Sequence, residues 1–431
     1  MKTIMTLIAA SSLLAALATA QPTHYNITDL GTLGNGTGSY ATGITNNGLI
    51  SGHASPPDGT IHPVLWQNGR ITDIGIPGLG GQNGIAWAVN ERGQAVGQAE
   101  TSLPEPNGED PCGSKVLVPS PLGTTCVPFL WQNGVMAKLP TLGGSNGVAN
   151  RINNRGEVAG SAENTTPDTN CPAPQVFQFK PVVWKNNGKI QALPTELPTI
   201  TGDADGLAFG INDNGQVVGA SGSCTTFDPI GNTSLLPLHA LLWGKDGSVT
   251  DLKKLGGEFG HSASAVNNLG QVVGSSDLPG DEEFHAFLWQ NGVMTDLKTL
   301  PDDRHSVALG INDRGEVVGI SLDATFTFLH AVLWQNGVSV PVDLNTRILA
   351  NPAGLYLQNA EAINSSGEIV GFAQTSTGDT HAFLATPSNG AAASESFSPA
   401  SPAVTSPMVA SENARKVLQQ RLRFGRLGGP R

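Results

Sequence analysis

Residues 210–219 read GINDNGQVVG and residues 310–319 read GINDRGEVVG. Relatives of this element end at Gly52, Gly97, Gly160, Gly274 and Gly371. A second element follows each of them, HAFLWQNG at 285–292 and HAVLWQNG at 330–337, with variants carrying Trp66, Trp131, Trp184 and Trp243 and a last copy beginning at His381. A short third element, DLGTLG at 29–34, is echoed at Asp73, Asp251, Asp296 and Asp343. The turn glycines of the first element fall at 48, 93, 156, 215, 270, 315 and 367, so the spacing runs from 45 to 63 residues. That is the period of a propeller blade.

Each cassette reads as two hairpins. Asn212, Asp213, Asn214 and Gly215 supply residues that tolerate positive φ between the first two strands, and Gln290, Asn291 and Gly292 do so between the last two. A four-stranded sheet of this size cannot cover both its faces, so the apolar positions and Trp66, Trp131, Trp184, Trp243, Trp289 and Trp334 are expected to pack between neighbouring repeats. The seventh cassette stops after Leu384 without a fourth strand, and YNITDL at 25–30 matches the missing piece. The expectation is an all-β, seven-bladed β-propeller of four-stranded blades over residues 24–386, its last blade closed by the N-terminal strand. An open β-solenoid is the alternative, and it leaves the complementary ends unexplained.

The chain has 431 residues, 39% hydrophobic and 13% charged, with Gly 54 and Pro 29, which fits short strands and tight turns rather than helices. Lys2, an apolar run from Ile4 to Leu17 and Ala18-Thr19-Ala20 predict a signal peptide over residues 1–20, against the alternative of a retained anchor. Export makes the four cysteines disulfide candidates, and their places in the insertions favour Cys112 with Cys126 and Cys171 with Cys224. The formal charge is -12. Six basic residues lie after Pro387, which leaves the body more acidic still and ill suited to nucleic acid or anionic membrane. Residues 387–431 read as a disordered linker rich in Ser, Ala and Pro and then a basic tail, with a possible short amphipathic helix over Met408 to Leu427 able to contact an anionic surface.

These recurring Ile-Asn-x-x-Gly and His-Ala-x-Leu-Trp elements resemble the HAF-repeat family of predicted extracellular proteins, with His285 to Phe287 and His381 to Phe383 carrying the His-Ala-Phe motif. The resemblance spans Tyr25 to Leu384 and implies neither a reaction nor catalytic residues. Thr45, Val127, Lys180 and Ala385 depart from the consensus.

His62, His239, His285, His330 and His381 share one repeat position, spread around a ring rather than convergent on one ion, so a structural hydrogen bond at a strand start is expected of them. Asn90, Asn153, Asn212, Asn267, Asn312 and Asn364 are expected to fix turns. Length varies only at Gln98 to Cys126, Ser161 to Phe179, Ala220 to Leu238 and between repeats, connections that share one face of a propeller. Ligand candidates on that face are Asp203, Asp205, Glu258, Asp281, Glu282, Glu283, Asp302 and Asp303. Asp203 and Asp205, within TGDADG, are calcium candidates, although the full calcium-loop pattern is missing. His261 and His305 are the candidates for general acid and base work. The reading is a secreted module binding an extracellular glycan or protein, with a hydrolase or polysaccharide lyase on the same scaffold, or a structural envelope component, as alternatives.

Overall fold

The computed structural model describes residues 23–76, 78–109, 123–171, 175–185, 194–224, 238–335, 339–388, 408–412 and 415. The expected signal peptide and Cys112 lie outside these residues.

Strands account for nearly all of the regular structure, and among the described residues Leu344–Arg347 is the one 3-10 turn with named bounds. Five antiparallel sheets of four strands each correspond to five cassettes, and the first and last cassettes share a nine-stranded sheet. In that sheet His24–Asp29 pairs antiparallel with Thr380–Ser388 from His24 opposite Ser388 to Asp29 opposite Phe383. The last three-stranded cassette thus takes its fourth strand from the N-terminus. Ile348–Ala350 adds a parallel strand outside it. The last strand continues through Ser388, two residues beyond the boundary expected from the sequence.

Burial grades across each sheet. The first strand, Asp205–Ile211 for example, is buried along almost its whole length, whereas the fourth, Val249–Asp251, is partly exposed. The inner strands share a second feature. In all seven the pairing register shifts, at Thr42, Trp87, Asn150, Phe209, Ser264, Leu309 and Glu361, as in a β-bulge that inserts one unpaired residue. The glycine that closes each Val-Val-Gly run lies across from this irregularity. A Cβ at Gly219 would sit 2.0 Å from the Leu207 carbonyl oxygen, and one at Gly97 1.8 Å from that of Ile85. Backbone approach, rather than turn geometry, therefore requires the glycine.

Trp66, Trp184, Trp243 and Trp334 are fully buried, while Trp131 and Trp289 are only partly so. Three of the buried indoles donate to a carbonyl of the preceding repeat: Trp184 to Pro140, Trp243 to Pro198 and Trp334 to Leu297, at 2.6 to 2.8 Å. The indole fills the space between repeats and its N–H fixes the register of that packing. Arg151 ties further repeats together at their inner edges. Its Nη1 donates to the carbonyls of Trp87 (2.7 Å) and Thr42 (3.3 Å), and its Nη2 lies 3.8 Å from Glu361 Oε1.

Candidate functional site on the insertion-bearing face

Alternating strand direction puts every turn between first and second strands at one end of the sheets and every connection between second and third strands at the other. The turn end is sealed by two rows of hydrogen bonds. Nδ2 of Asn90, Asn153, Asn212, Asn267 and Asn312 each donates to the carbonyl of the corresponding Asn in the next repeat at 2.8 to 3.0 Å. Asn364 Nδ2 donates to the Thr45 carbonyl at 3.1 Å, joining the last repeat to the first. The same side chains also fix their own turns. Asn212 Oδ1 accepts from the amides of Asn214 (3.0 Å) and Gln216 (2.9 Å). A parallel outer row runs one residue further on, for example Asn154 N to Asp213 Oδ1 (2.7 Å) and Asp213 N to Asn268 Oδ1 (2.9 Å).

The opposite end carries the insertions, and it is braced differently. Ala95–Pro104 with Thr124–Gln132, and Glu157–Pro167 with Phe177–Lys185, run on as long ribbons beyond the ordinary cassette length. Cys171 and Cys224, in two successive insertions, form the expected disulfide, with a Cα–Cα distance of 5.1 Å. Cys126 is disulfide-bonded too, but its expected partner Cys112 lies outside the described residues. Beside them three buried glutamates converge on one amide. Asn146 Nδ2 donates to Glu109 Oε2 (3.1 Å), Glu163 Oε2 (3.4 Å) and Glu105 Oε1 (3.5 Å). Glu163 Oε2 also accepts from the amides of Ser145 (2.6 Å) and Asn146 (3.1 Å), and Glu109 Oε1 from that of Val176 (2.5 Å). Burial, then the neighbouring Glu109, pushes the Glu163 carboxyl up to about 8. At neutral pH Glu163 therefore holds a proton between the two carboxyl groups, and the insertion of the second repeat is clamped onto the third.

The carboxylates expected to bind ligand do not gather. Asp203 Oδ2 accepts from Ser221 Oγ and meets His239 Nδ1 at 2.9 Å, whereas Asp205 is fully buried and accepts from the Phe179 amide (2.9 Å) and Gln175 Nε2 (2.6 Å). Glu258 pairs with Lys254 and Glu283 with Arg304, Asp281 Oδ1 accepts from the Glu258 amide at 2.6 Å, and Asp303 meets His330 Nδ1 at 3.0 Å. Glu282 and Asp302 are exposed. Among the described residues the one group of three possible metal ligands is Cys171, Asp205 and Cys224, and its two thiols are spent in the disulfide. Asp203 and Asp205, the calcium candidates, are thus both engaged by donors of the protein itself.

Both candidate histidines are buried in the packing. His261 Nδ1 meets Ser276 Oγ at 2.9 Å, and His305 is stacked on Phe284 and Phe326 with ring centroids 4.5 and 4.8 Å away. Burial drives both imidazoles down to about 4. Asp205 and His305 occupy equivalent registers with Asn83 and Asn146, and the common role is mechanical. Each accepts from an amide of the repeat before it: Asn83 from Ile61 (2.9 Å), Asn146 from Cys126 (3.1 Å), Asp205 from Phe179, and His305 Nδ1 from Phe284 (3.4 Å). The five cassette histidines behave as expected of structural groups. Their Nδ1 atoms lie 2.7 to 3.0 Å from a carboxylate oxygen, of Asp73, Asp203, Asp296, Asp303 or Asp29.

Sequence reasoning missed Glu105, Glu109, Asn146 and Glu163. One signal was present, since Glu100, Glu163 and Asp277 occupy one register of the second strand. It also missed the C-terminal segment, of which Met408, Val409, Ala410 and Ser411 lie on this face against the loop Asp323 to Phe328.

No protein-family profile matches the chain, and no curated protein matches it. Among solved structures it is similar to a mutant of AofleA from Arthrobotrys oligospora, at 11% identity and TM-score 0.33 over 74% of this chain and 90% of that one. Trypanosoma rangeli sialidase in complex with the inhibitor DANA gives 12% identity and TM-score 0.36 over 70% and 54%. An Aleuria aurantia lectin mutant in complex with alpha-methyl-L-fucoside gives 10% identity and TM-score 0.33 over 84% and 93%. Similarity this loose says nothing of what this chain binds.

Proposed function

We propose that the chain is a secreted, closed seven-bladed propeller of HAF-repeat type that binds an extracellular polymer, a neutral carbohydrate first among them, through its insertion-bearing face. The difference between the two ends of the sheets carries this reading. At one end the turns spend their side chains on each other, in two rows of hydrogen bonds from repeat to repeat. At the other, extra chain is held in place by a disulfide and a buried three-glutamate clamp. Long connections that serve no purpose in the scaffold and are nonetheless braced make a preorganised platform, which is where scaffolds of this kind carry function. The acidic balance of -12 disfavours polyanionic ligands, and the amide, hydroxyl and carboxylate groups of the insertions suit the hydroxyls of a neutral glycan.

The test is a thermal-shift screen of the full chain against neutral, cationic and acidic polysaccharides. Two exposed residues at opposite ends, Val176 and Leu269, serve as the blocking sites. Ligand at about 100-fold over its dissociation constant should add roughly 2.7 kcal/mol to the folded state. Val176→Arg should abolish the shift and Leu269→Arg should leave it intact. The proposal fails if no polysaccharide shifts the wild-type chain, or if Leu269→Arg is the variant that loses binding.

A further inference from the structure

The described part of the C-terminal region does not trail away from the body. Val409 pairs antiparallel with Phe328, and the Ala410 amide donates to the Thr327 carbonyl at 2.9 Å. Side chains alternate as in a strand laid on a surface, since Val409 is 55% exposed and Ala410 only 2%. Ala410 belongs to one apolar cluster with Tyr40, Phe284, Leu309, Leu329 and Phe372, residues of four different repeats. Ser411 Oγ lies 3.1 Å from Thr380 Oγ1, and Thr380 in turn hydrogen-bonds the Tyr40 hydroxyl. The Arg415 amide donates to the Ser411 carbonyl at 3.0 Å.

The receiving surface is built for this. Phe326 stands at φ 55°, a left-handed conformation that is strained for a bulky aromatic residue. It is held there by stacking on His305 and Phe284 and by Asp323, whose Oδ1 accepts from the Phe328 amide at 2.7 Å. That conformation presents the Thr327 carbonyl and the Phe328 backbone to an incoming strand. Nineteen residues of sequence separate Ser388 from Met408, so neither chain connectivity nor the cassette fold requires the contact.

We propose that the mouth of the insertion-bearing face is a binding site for an extended peptide strand with a small apolar residue at its centre, and that Met408 to Ser411 is its resident occupant. Recognition combines main-chain pairing to the 327–328 edge with burial of Ala410 in the apolar cluster that holds Tyr40 and Phe372. Because the strap belongs to the same chain, its concentration at the site is on the order of millimolar, and any outside ligand of that mouth must displace it.

A labelled peptide of sequence MVASENAR, residues 408–415, tests the site by fluorescence anisotropy against the full chain and its Ala410→Glu variant. A glutamate at 410 would have to bury its carboxylate in the apolar cluster, so the variant's own strap is expelled. The peptide should bind the Ala410→Glu chain saturably and the wild-type chain about tenfold more weakly, as expected when a resident strap competes. The same peptide N-methylated at the Ala410 amide should not bind. Unchanged thermal unfolding of the variant shows that the body is intact. Equal binding to both chains, no binding to the variant, or binding of the N-methylated peptide would each overturn the proposal. None of these outcomes depends on whether a glycan binds.

Discussion

Glu163 offers the sharpest test of how the insertions are held. Its carboxyl is fully buried, accepts from two backbone amides, faces Glu109, and is pushed up from 4.5 to about 8. Between those two values the folded chain binds one more proton than the unfolded chain, so stability must fall as pH rises through the window and level off above it. Every tenfold difference in proton affinity between the folded and unfolded chain is worth a little over 1 kcal/mol, and the full span sets a ceiling of about 5 kcal/mol. The insertion can lift from its neighbour before the whole body unfolds, which caps the loss at the local opening free energy, so about 1–3 kcal/mol between pH 5 and 8 is expected. His330 and His381 are both raised, by hydrogen bonds to Asp303 and Asp29, and contribute pH dependence of the same sign. The informative quantity is therefore the difference between wild type and Glu163→Gln. The amide keeps the acceptor for Ser145 and Asn146 and donates permanently to Glu109. Urea unfolding at pH 5, 6, 7 and 8 should show the wild-type slope exceeding that of the variant, and protection of the Val176 amide, corrected for the intrinsic exchange rate, should fall with pH in wild type only. Parallel slopes in the two proteins would refute the shared-proton clamp.

Other contacts can be tested one at a time. Asn212→Ala removes bonds to its own turn and to the Asn267 carbonyl and should cost about 2–3 kcal/mol by denaturant unfolding, whereas Thr45→Asn together with Leu49→Gln, which restores both the missing amide opposite Asn90 and its partner, should raise the midpoint. The Cys171–Cys224 bridge closes a separation of 53 residues, so its replacement by two alanines should cost up to about 4 kcal/mol and loosen both insertions to proteolysis. His381, held above its ordinary value chiefly by its hydrogen bond to Asp29, should titrate closer to 6.5 in Asp29→Asn when followed by NMR. The stability that this seam contact adds is present at low pH and is lost as pH rises through the raised value.

What was readable in the chain and what was not divides along a physical line. Periodicity, turn residues and apolar registers belong to one hairpin at a time, so the cassettes, their strands and the buried Trp66, Trp184, Trp243 and Trp334 could be placed from sequence. Partners across repeats could not, because they depend on which hairpin lies beside which. The turn role of Asn212 was legible and its bond to Asn267 was not. His305 looked like a base on a loop, and only the packing of Phe284 and Phe326 against its ring shows it as a buried acceptor. Glu105 and Glu109 sit in an insertion that follows no repeat, so no spacing rule could join them to Glu163. The strap was hidden for a similar reason, since a lone Ala410 at the start of a stretch expected to form an amphipathic helix carries no signal of strand pairing or burial.

Seven copies of one unit nevertheless hold a record of these contacts, because paired positions change together. The cassette that has Thr45 in place of Asn has Leu49 four residues on, where the Gln or Glu that bonds that Asn normally stands, as Gln216 does for Asn212. The cassette with Val127 in place of His has Lys138 in place of the facing Asp, and the one with Lys180 has Glu196 there. Loss of one partner leaves the other a buried or misplaced polar group, so a half-substituted pair costs more than a fully substituted one. His62, His285 and His381 bond that facing Asp, whereas His239 and His330 bond Asp203 and Asp303 instead. A residue that served an outside ligand would be free to vary without its neighbour. On the proposed reading, the positions to test for function are those with no counterpart in the other copies: the braced insertions, and the mouth beneath the strap.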